Sequence, residues 1–171
     1  MELPPDIVER LLERWPVARL ATVGRVGRPH LVPVVFTRHA GSLWSPVDGK
    51  TKAAGELARV RNVRSRPEVG LILDHYEADW RRLWWVRVDG RAAVIEARDP
   101  AADPELMAVA DALRVKYPQY ADVPLFRREP ILLRIAVERV GSWCASREAF
   151  RAASDSAECP DLQPSRDSAD P

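Results

Sequence analysis

The residues best placed to do chemistry sit in one short loop. Leu43-Trp44-Ser45-Pro46-Val47 reads as a strand, Asp48-Gly49-Lys50-Thr51-Lys52 as a cationic loop, and the segment after it as a helix. A helix N-terminus presents unpaired N–H groups and about half a positive charge. Lys50 and Lys52 on either side of Thr51 add two ammonium groups and a hydroxyl, a donor set suited to a phosphate. Only Lys50, Lys52 and Lys116 among the 26 basic residues are lysines, so finding two of them in this loop singles it out. Arg87, mid-strand among apolar residues, either faces water or pairs with an anion. His75, alone at a strand end, reads as structural. No Ser-His-Asp spacing, Cys-His pair, HExxH or P-loop pattern is present. That absence agrees with a bound cofactor carrying the chemistry while protein groups position it, and no catalytic residue is named.

Composition bounds the classes. At 171 residues, 46% hydrophobic and 30% charged, the chain reads as one globular domain with a single sizeable core. No apolar run reaches the ~20 residues of a membrane span. The N-terminus lacks the basic and apolar regions of a signal peptide, so a cytoplasmic location is expected. Cys144 and Cys159 show no metal-ligand spacing and read as bystander thiols. The last twenty residues hold five carboxylates against Arg166 alone, a net of −4, which leaves +5 on the body of a chain whose total is +1. That is too mild for a nucleic-acid surface and suits a small anionic ligand.

The elements that must position the loop follow from periodicity. Ile7, Val8, Leu11 and Leu12 predict an amphipathic helix after Pro4-Pro5. Residues 17–23 and 30–37 predict two strands joined by a Gly-containing turn, with Pro33 marking an edge, bulge or bend. A third strand at 42–45 makes the series an antiparallel meander. A helix over 51–65 ends at Pro67. Residues 68–75, without full alternation, predict a strand buried on both sides, and 83–95 a long strand bent at Gly90. Asp99-Pro100-Ala101-Ala102-Asp103-Pro104 opens a helix to about Lys116, with Leu106, Val109, Ala110 and Leu113 as its buried stripe. Ile131–Val140 is the last strand. The expected fold is mainly β (α+β), a six-stranded antiparallel split β-barrel with peripheral helices over residues 1–150. Residues 151–171 read as a disordered acidic tail.

Ala18-Arg19-Leu20-Ala21-Thr22-Val23, Gly27-Arg28-Pro29-His30-Leu31-Val32-Pro33-Val34 and Arg61-Asn62-Val63-Arg64-Ser65-Arg66-Pro67-Glu68-Val69 resemble the pyridoxamine-phosphate-oxidase-like, FMN-binding split-barrel superfamily. Asp74-His75-Tyr76-Glu77-Ala78-Asp79-Trp80 with Leu83-Trp84-Trp85-Val86-Arg87-Val88-Asp89-Gly90 is similar to its actinobacterial branch that uses the deazaflavin coenzyme F-420 (an 8-hydroxy-5-deazaflavin). The resemblance spans roughly residues 5 to 146. It implies a homodimer with cofactor sites at the subunit interface, a small-molecule substrate, and hydride transfer between reduced deazaflavin and a small organic acceptor. It places the phosphate at Lys50, Thr51 and Lys52, and the ring beside Val34, Val35, Pro46 and Ser45. Arg61 and Asn62 become cofactor candidates, and Arg87 a contact from the partner subunit. Trp143 and Trp44 become walls of a substrate pocket, and one of Trp84 and Trp85 part of the dimer interface.

Two rivals stand beside this reading. One is an FMN-dependent oxidase or reductase of the same fold; the other is a non-catalytic flavin or F-420 binder. True pyridoxamine-phosphate oxidases end in Arg-Leu-x-Pro, whereas the last strand here closes on Val140-Gly141-Ser142-Trp143, which argues against pyridoxine chemistry.

Overall fold

A two-residue link dictates the architecture. In the computed structural model, which describes residues 1–47, 56–96, 103–126 and 130–158, one seven-stranded sheet has the order β2-β1-β5-β6-β7-β4-β3. The strands are β1 (Ala18–Val23), β2 (Pro29–Val34), β3 (Thr37–His39), β4 (Ser42–Pro46), β5 (Glu68–His75), β6 (Trp84–Glu96) and β7 (Ile131–Cys144). β2 and β3 lie at opposite edges, yet only Val35 and Phe36 separate them in the chain. Two residues span roughly 10 Å at most from strand end to strand start, so the sheet must roll until its edges meet. No ladder joins them among the described residues, which makes the barrel split.

This corrects the expected strand count from six to seven. The predicted strand over 30–37 turns a corner at Val35-Phe36 and contributes to both edges. The expected meander is instead two hairpins, β1–β2 at one edge and β3–β4 at the other. The second closes through a two-residue turn with Ala40 at φ 47° and Gly41 at φ 77°, the twist that suits a tight hairpin. Pro33 does lie in an edge strand.

Alternation builds the interior. Leu20, Leu71, Leu73, Trp84, Val86, Val88, Leu133 and Ile135 point inward and are buried. Helix α1 (Pro5–Arg14) covers one mouth with Ile7, Val8, Leu11 and Leu12. α2 (Ala58–Ser65) packs beside β1 and β6 with Val60 and Val63 buried; it is shorter than the expected helix over 51–65, since Glu56 and Leu57 precede it in extended or irregular backbone and 51–55 lie outside the described residues. α3 (Pro104–Lys116) buries the predicted stripe of Leu106, Val109, Ala110 and Leu113 against Trp44 and Leu132, forming a second core outside the barrel wall. Asp103 caps it, accepting from the amides of Glu105 and Leu106 at 3.0 and 3.2 Å.

The expected boundary of the tail moves. α4 (Arg147–Glu158) runs through its first eight residues. The Ser146 hydroxyl accepts from the amides of Glu148 and Ala149 at 3.1 and 3.2 Å, and Ala149 and Ala153 are buried in the barrel core. The remainder of the predicted tail, 159–171, lies outside the described residues.

Gly90 is the bend of the long strand, as expected. The β6–β7 register shifts between Asp89 and Gly90, and a Cβ at Gly90 would stand 2.2 Å from the Ala136 carbonyl oxygen. Backbone cannot yield as a side-chain tip would. Gly90→Ala is expected to lower the unfolding free energy by about 1–3 kcal/mol, read from urea denaturation; an unchanged midpoint would contradict this close approach.

Candidate functional site

The expected phosphate seat lies between two anchored ends. On one side the Val47 amide donates to the Ile131 carbonyl at 2.8 Å, holding the end of β4 against β7. On the other, Leu57 precedes the first turn of α2. Lys50, Thr51 and Lys52 themselves lie outside the described residues.

α2 begins in an unusual way. Among the described helices with a cap or first turn to compare, α1 has Asp6, α3 has Asp103 and Glu105, and α4 has Ser146 and Glu148. α2 has no side-chain cap and no acidic residue in its first turn. Glu56, two residues before the helix, is paired with Arg64, which also pairs with Glu96. Among the described residues, the positive end of α2 therefore has neither an acidic cap nor a first-turn carboxylate.

The predicted residues that are described divide between the framework and the surface. Ser45 is buried, and its hydroxyl donates to the Val35 carbonyl at 2.9 Å. It fixes the β2–β3 corner against β4, so its one proton is engaged within the chain. Val34 is buried in the barrel core, Val35 packs at the edge of the α3 core, and Pro46 is buried at the end of β4. Arg61 is exposed, donating to the Glu56 carbonyl at 3.1 Å. Asn62 is buried and donates to the Thr22 hydroxyl at 3.0 Å, tying α2 to β1. Trp44 is 1% exposed beneath α3, so it is a core residue and not the wall of an open pocket.

Two predicted residues lie elsewhere. Trp143 pairs with Trp85, and Arg87 stands opposite Gly141, on the outer face of the β6–β7 ladder. β4 meets β7 at residues 132–136. Eight residues of β7 separate Gly141 from Leu133, roughly 26 Å along the strand. One chain therefore does not bring Arg87 and Trp143 to Ser45 and Pro46. Arg87 is half-exposed and 3.4 Å from the Asp89 carboxylate. The outer face it shares carries Ile72, Trp85 and Trp143 half-buried, with Leu31 64% exposed on β2. Trp84, by contrast, is inside the barrel, with Trp15 edge-on at 4.7 Å and His75 stacked at 6.3 Å.

Sequence reasoning missed Tyr117 and Lys116. Tyr117 accepts from the Phe36 amide at 2.9 Å and lies 2.7 Å from the Phe36 carbonyl, holding the barrel corner. Both residues continue the buried stripe of α3, three and four positions beyond Leu113, which is the signal that could have found them. No group of three or more metal-ligating residues occurs among the described residues, and no described helix is long and apolar enough to cross a membrane.

Comparison with known proteins agrees with this architecture. The sequence profile of the pyridoxamine 5'-phosphate oxidase family matches residues 4–144. No curated protein matches the sequence significantly. Among solved structures, a heme storage protein from Vibrio cholerae is 20% identical, with 86% of this chain and 99% of that chain covered at a TM-score of 0.64. An FAD-binding protein from Mesorhizobium loti is 20% identical over 83% of this chain and 95% of that chain, TM-score 0.54. An F420 reductase is 20% identical over 77% of this chain and 94% of that chain, TM-score 0.52. The last strand closes without the Arg-Leu-x-Pro ending, but the profile spans the whole barrel, and by that match the chain belongs to the pyridoxamine 5'-phosphate oxidase family of split β-barrels.

Proposed function

We propose that the protein is an oxidoreductase that binds coenzyme F-420 and passes hydride between it and a small organic acceptor. The observation that carries this reading is the positive end of α2, which has no acidic residue in its first turn and begins six positions after Lys52. Two ammonium groups, a hydroxyl and free helix amides together match a phosphate, and no carboxylate of the first turn opposes it. The residues present therefore fit the phosphate of a flavin or deazaflavin. The bound coenzyme supplies the redox chemistry. The chain's own part is to hold the phosphate, to present Val34, Val35 and Pro46 as a firm apolar wall, and to keep water from the ring. That wall is rigid because Ser45 and Tyr117 fasten its two flanks. The motif around Trp84-Trp85-Val86-Arg87 favours the deazaflavin over FMN, and an F420 reductase shares the fold. The missing Arg-Leu-x-Pro ending turns the reading away from pyridoxine.

The same reading makes the functional unit a homodimer. Arg87 and Trp85 on β6 and Trp143 on β7 lie too far along the β6–β7 ladder to serve their own chain's loop, and on the outer sheet face they remain half-exposed or half-buried. A second copy docked there would carry Arg87 to the phosphate-side ligand of its partner. The fold also serves a heme storage protein, so fold alone does not decide between turnover and simple binding.

Titration of the purified protein with F-420, FMN and heme tests the cofactor. Saturable binding of F-420, tighter than the other two, is expected; tight FMN or heme binding without F-420 binding refutes the reading. Oxidation of the reduced deazaflavin by enones or quinones is expected, and no turnover with any acceptor would leave a binding protein. The double variant Lys50→Ala, Lys52→Ala should weaken binding by roughly 1.5–3 kcal/mol for each charge-assisted hydrogen bond removed; equal affinity removes the phosphate seat. Trp143→Glu should give a monomer in sedimentation and lose cofactor binding, while a monomer that binds as well as wild type would show that the site is not shared.

A further inference from the structure

Lys116 ends α3 with its Nζ enclosed and without a hydrogen-bond partner among the described residues. The amine stands 3.7 Å from the centre of the Phe36 ring and 5.7 Å from that of Tyr117. The adjoining Tyr117 hydroxyl is the fastening of this region. It accepts from the Phe36 amide, and its single proton has the Phe36 carbonyl at 2.7 Å and the Pro16 carbonyl at 3.0 Å as acceptors. One turn of chain thus binds α3 to the exit of α1 and to the corner where the sheet edges meet.

An ammonium in that position is poorly served. Its water is stripped away and no oxygen of the described residues replaces it; the face of the Phe36 ring returns part of the loss. Burial pulls Lys116 down from 10.5 to about 7, and the charge of Glu13 on α1 acts in the opposite direction. Tyr117, whose phenol burial pushes up, adjoins Lys116 and has Tyr120 edge-on at 6.0 Å, while the other charged side chains of α1 and α3 include Arg10, paired with Asp6, and Arg114, paired with Asp111. β3, which α3 packs on, adds His39 and Arg38, the latter ion-paired to Glu9.

We propose that Lys116 is a proton-operated latch on the barrel seam: with the amine neutral, the last turn of α3 docks on Phe36, and protonation works that dock loose. The proposal does not depend on the identity of the cofactor. The direction follows from linkage. The unfolded chain holds the lysine proton up to its ordinary value, so between about 7 and 10.5 it binds more protons than the folded chain. Stability rises with pH through that window and is lowest on its acid side.

With only three lysines, the test is direct. Side-chain NMR of 13C-lysine protein, from about pH 6 to about pH 10 to cover the shifted and ordinary values, should show one Cε signal with a midpoint near 7, absent in Lys116→Met. Over the same range, hydrogen exchange corrected for intrinsic rates should show Phe36 amide protection falling by roughly tenfold or more toward acid, while Leu71 in β5 holds. Lys116→Met should remove that pH dependence. A Lys116 midpoint at the ordinary lysine value, or Phe36 protection that merely follows Leu71, overturns the latch. The wild-type measurements decide alone if the variant does not fold.

Discussion

The structure depends on the short tie between the two edges of its sheet. Val35 and Phe36 join β2 to β3 across the seam, and everything near them secures that corner. Ser45 reaches from β4 to the Val35 carbonyl, and Tyr117 reaches from α3 to the Phe36 amide and carbonyl. A buried backbone group left without such a partner would cost about 1–3 kcal/mol, so side chains from distant segments have to supply what an absent ladder does not. The corner in turn fixes Val34 and Val35 relative to the end of β4. That end carries the loop from which α2 starts.

This dependence explains the division between the two cores. The inner one is filled by alternate residues of the strands and closed by α1 and α4. The outer one exists because α3 lies over β4 and β7, burying Trp44 and Leu132 on the face that would otherwise meet solvent. β4 is consequently buried on both faces, and its sequence, Leu43-Trp44-Ser45-Pro46, shows no alternation. On the other side of the barrel the outer face of β5, β6 and β7 is less buried and the alternation is clear, which corrects the expectation that 68–75 is buried on both sides: Val69, Leu71 and Leu73 point inward while Gly70, Ile72 and Asp74 are half-buried outside.

Much of the fold was legible because local chemistry and tertiary role agreed. α3 begins at Pro104, ends at Lys116 and buries the four residues its spacing indicated. Gly90 marks the bulge, and Pro33 the edge. The corner at Val35-Phe36 was not legible: Pro33, two residues before it, admitted an edge, a bulge or a bend alike, and the turn is imposed at Val35-Phe36 by Ser45 and Tyr117 from elsewhere in the chain. α4 was missed for a different reason. Its buried positions include two alanines, Ala149 and Ala153, which give little hydrophobic signal. For the site, sequence reading named Trp44 and Ser45 from their company, whereas burial and one hydrogen bond assign both to the framework. Lys116 was seen only as a rare lysine, because a charged residue at a helix end is ordinarily read as solvated.

The free edge of the barrel carries its own safeguard. The Gly24 amide bonds the Arg28 carbonyl at 2.9 Å, and with the pairing of His30 to Thr22 this turns the even-numbered residues of β2 toward β1. The amides of positions 29, 31 and 33 point away from the sheet, and two of those three residues are proline, which has none. Only Leu31 can offer a donor to an incoming strand. A barrel left open along one side would ordinarily invite its neighbours to add strands without limit and form fibrils; here the exposed rim is chemically blunted, so the seam can stay open and the protein can stay dispersed.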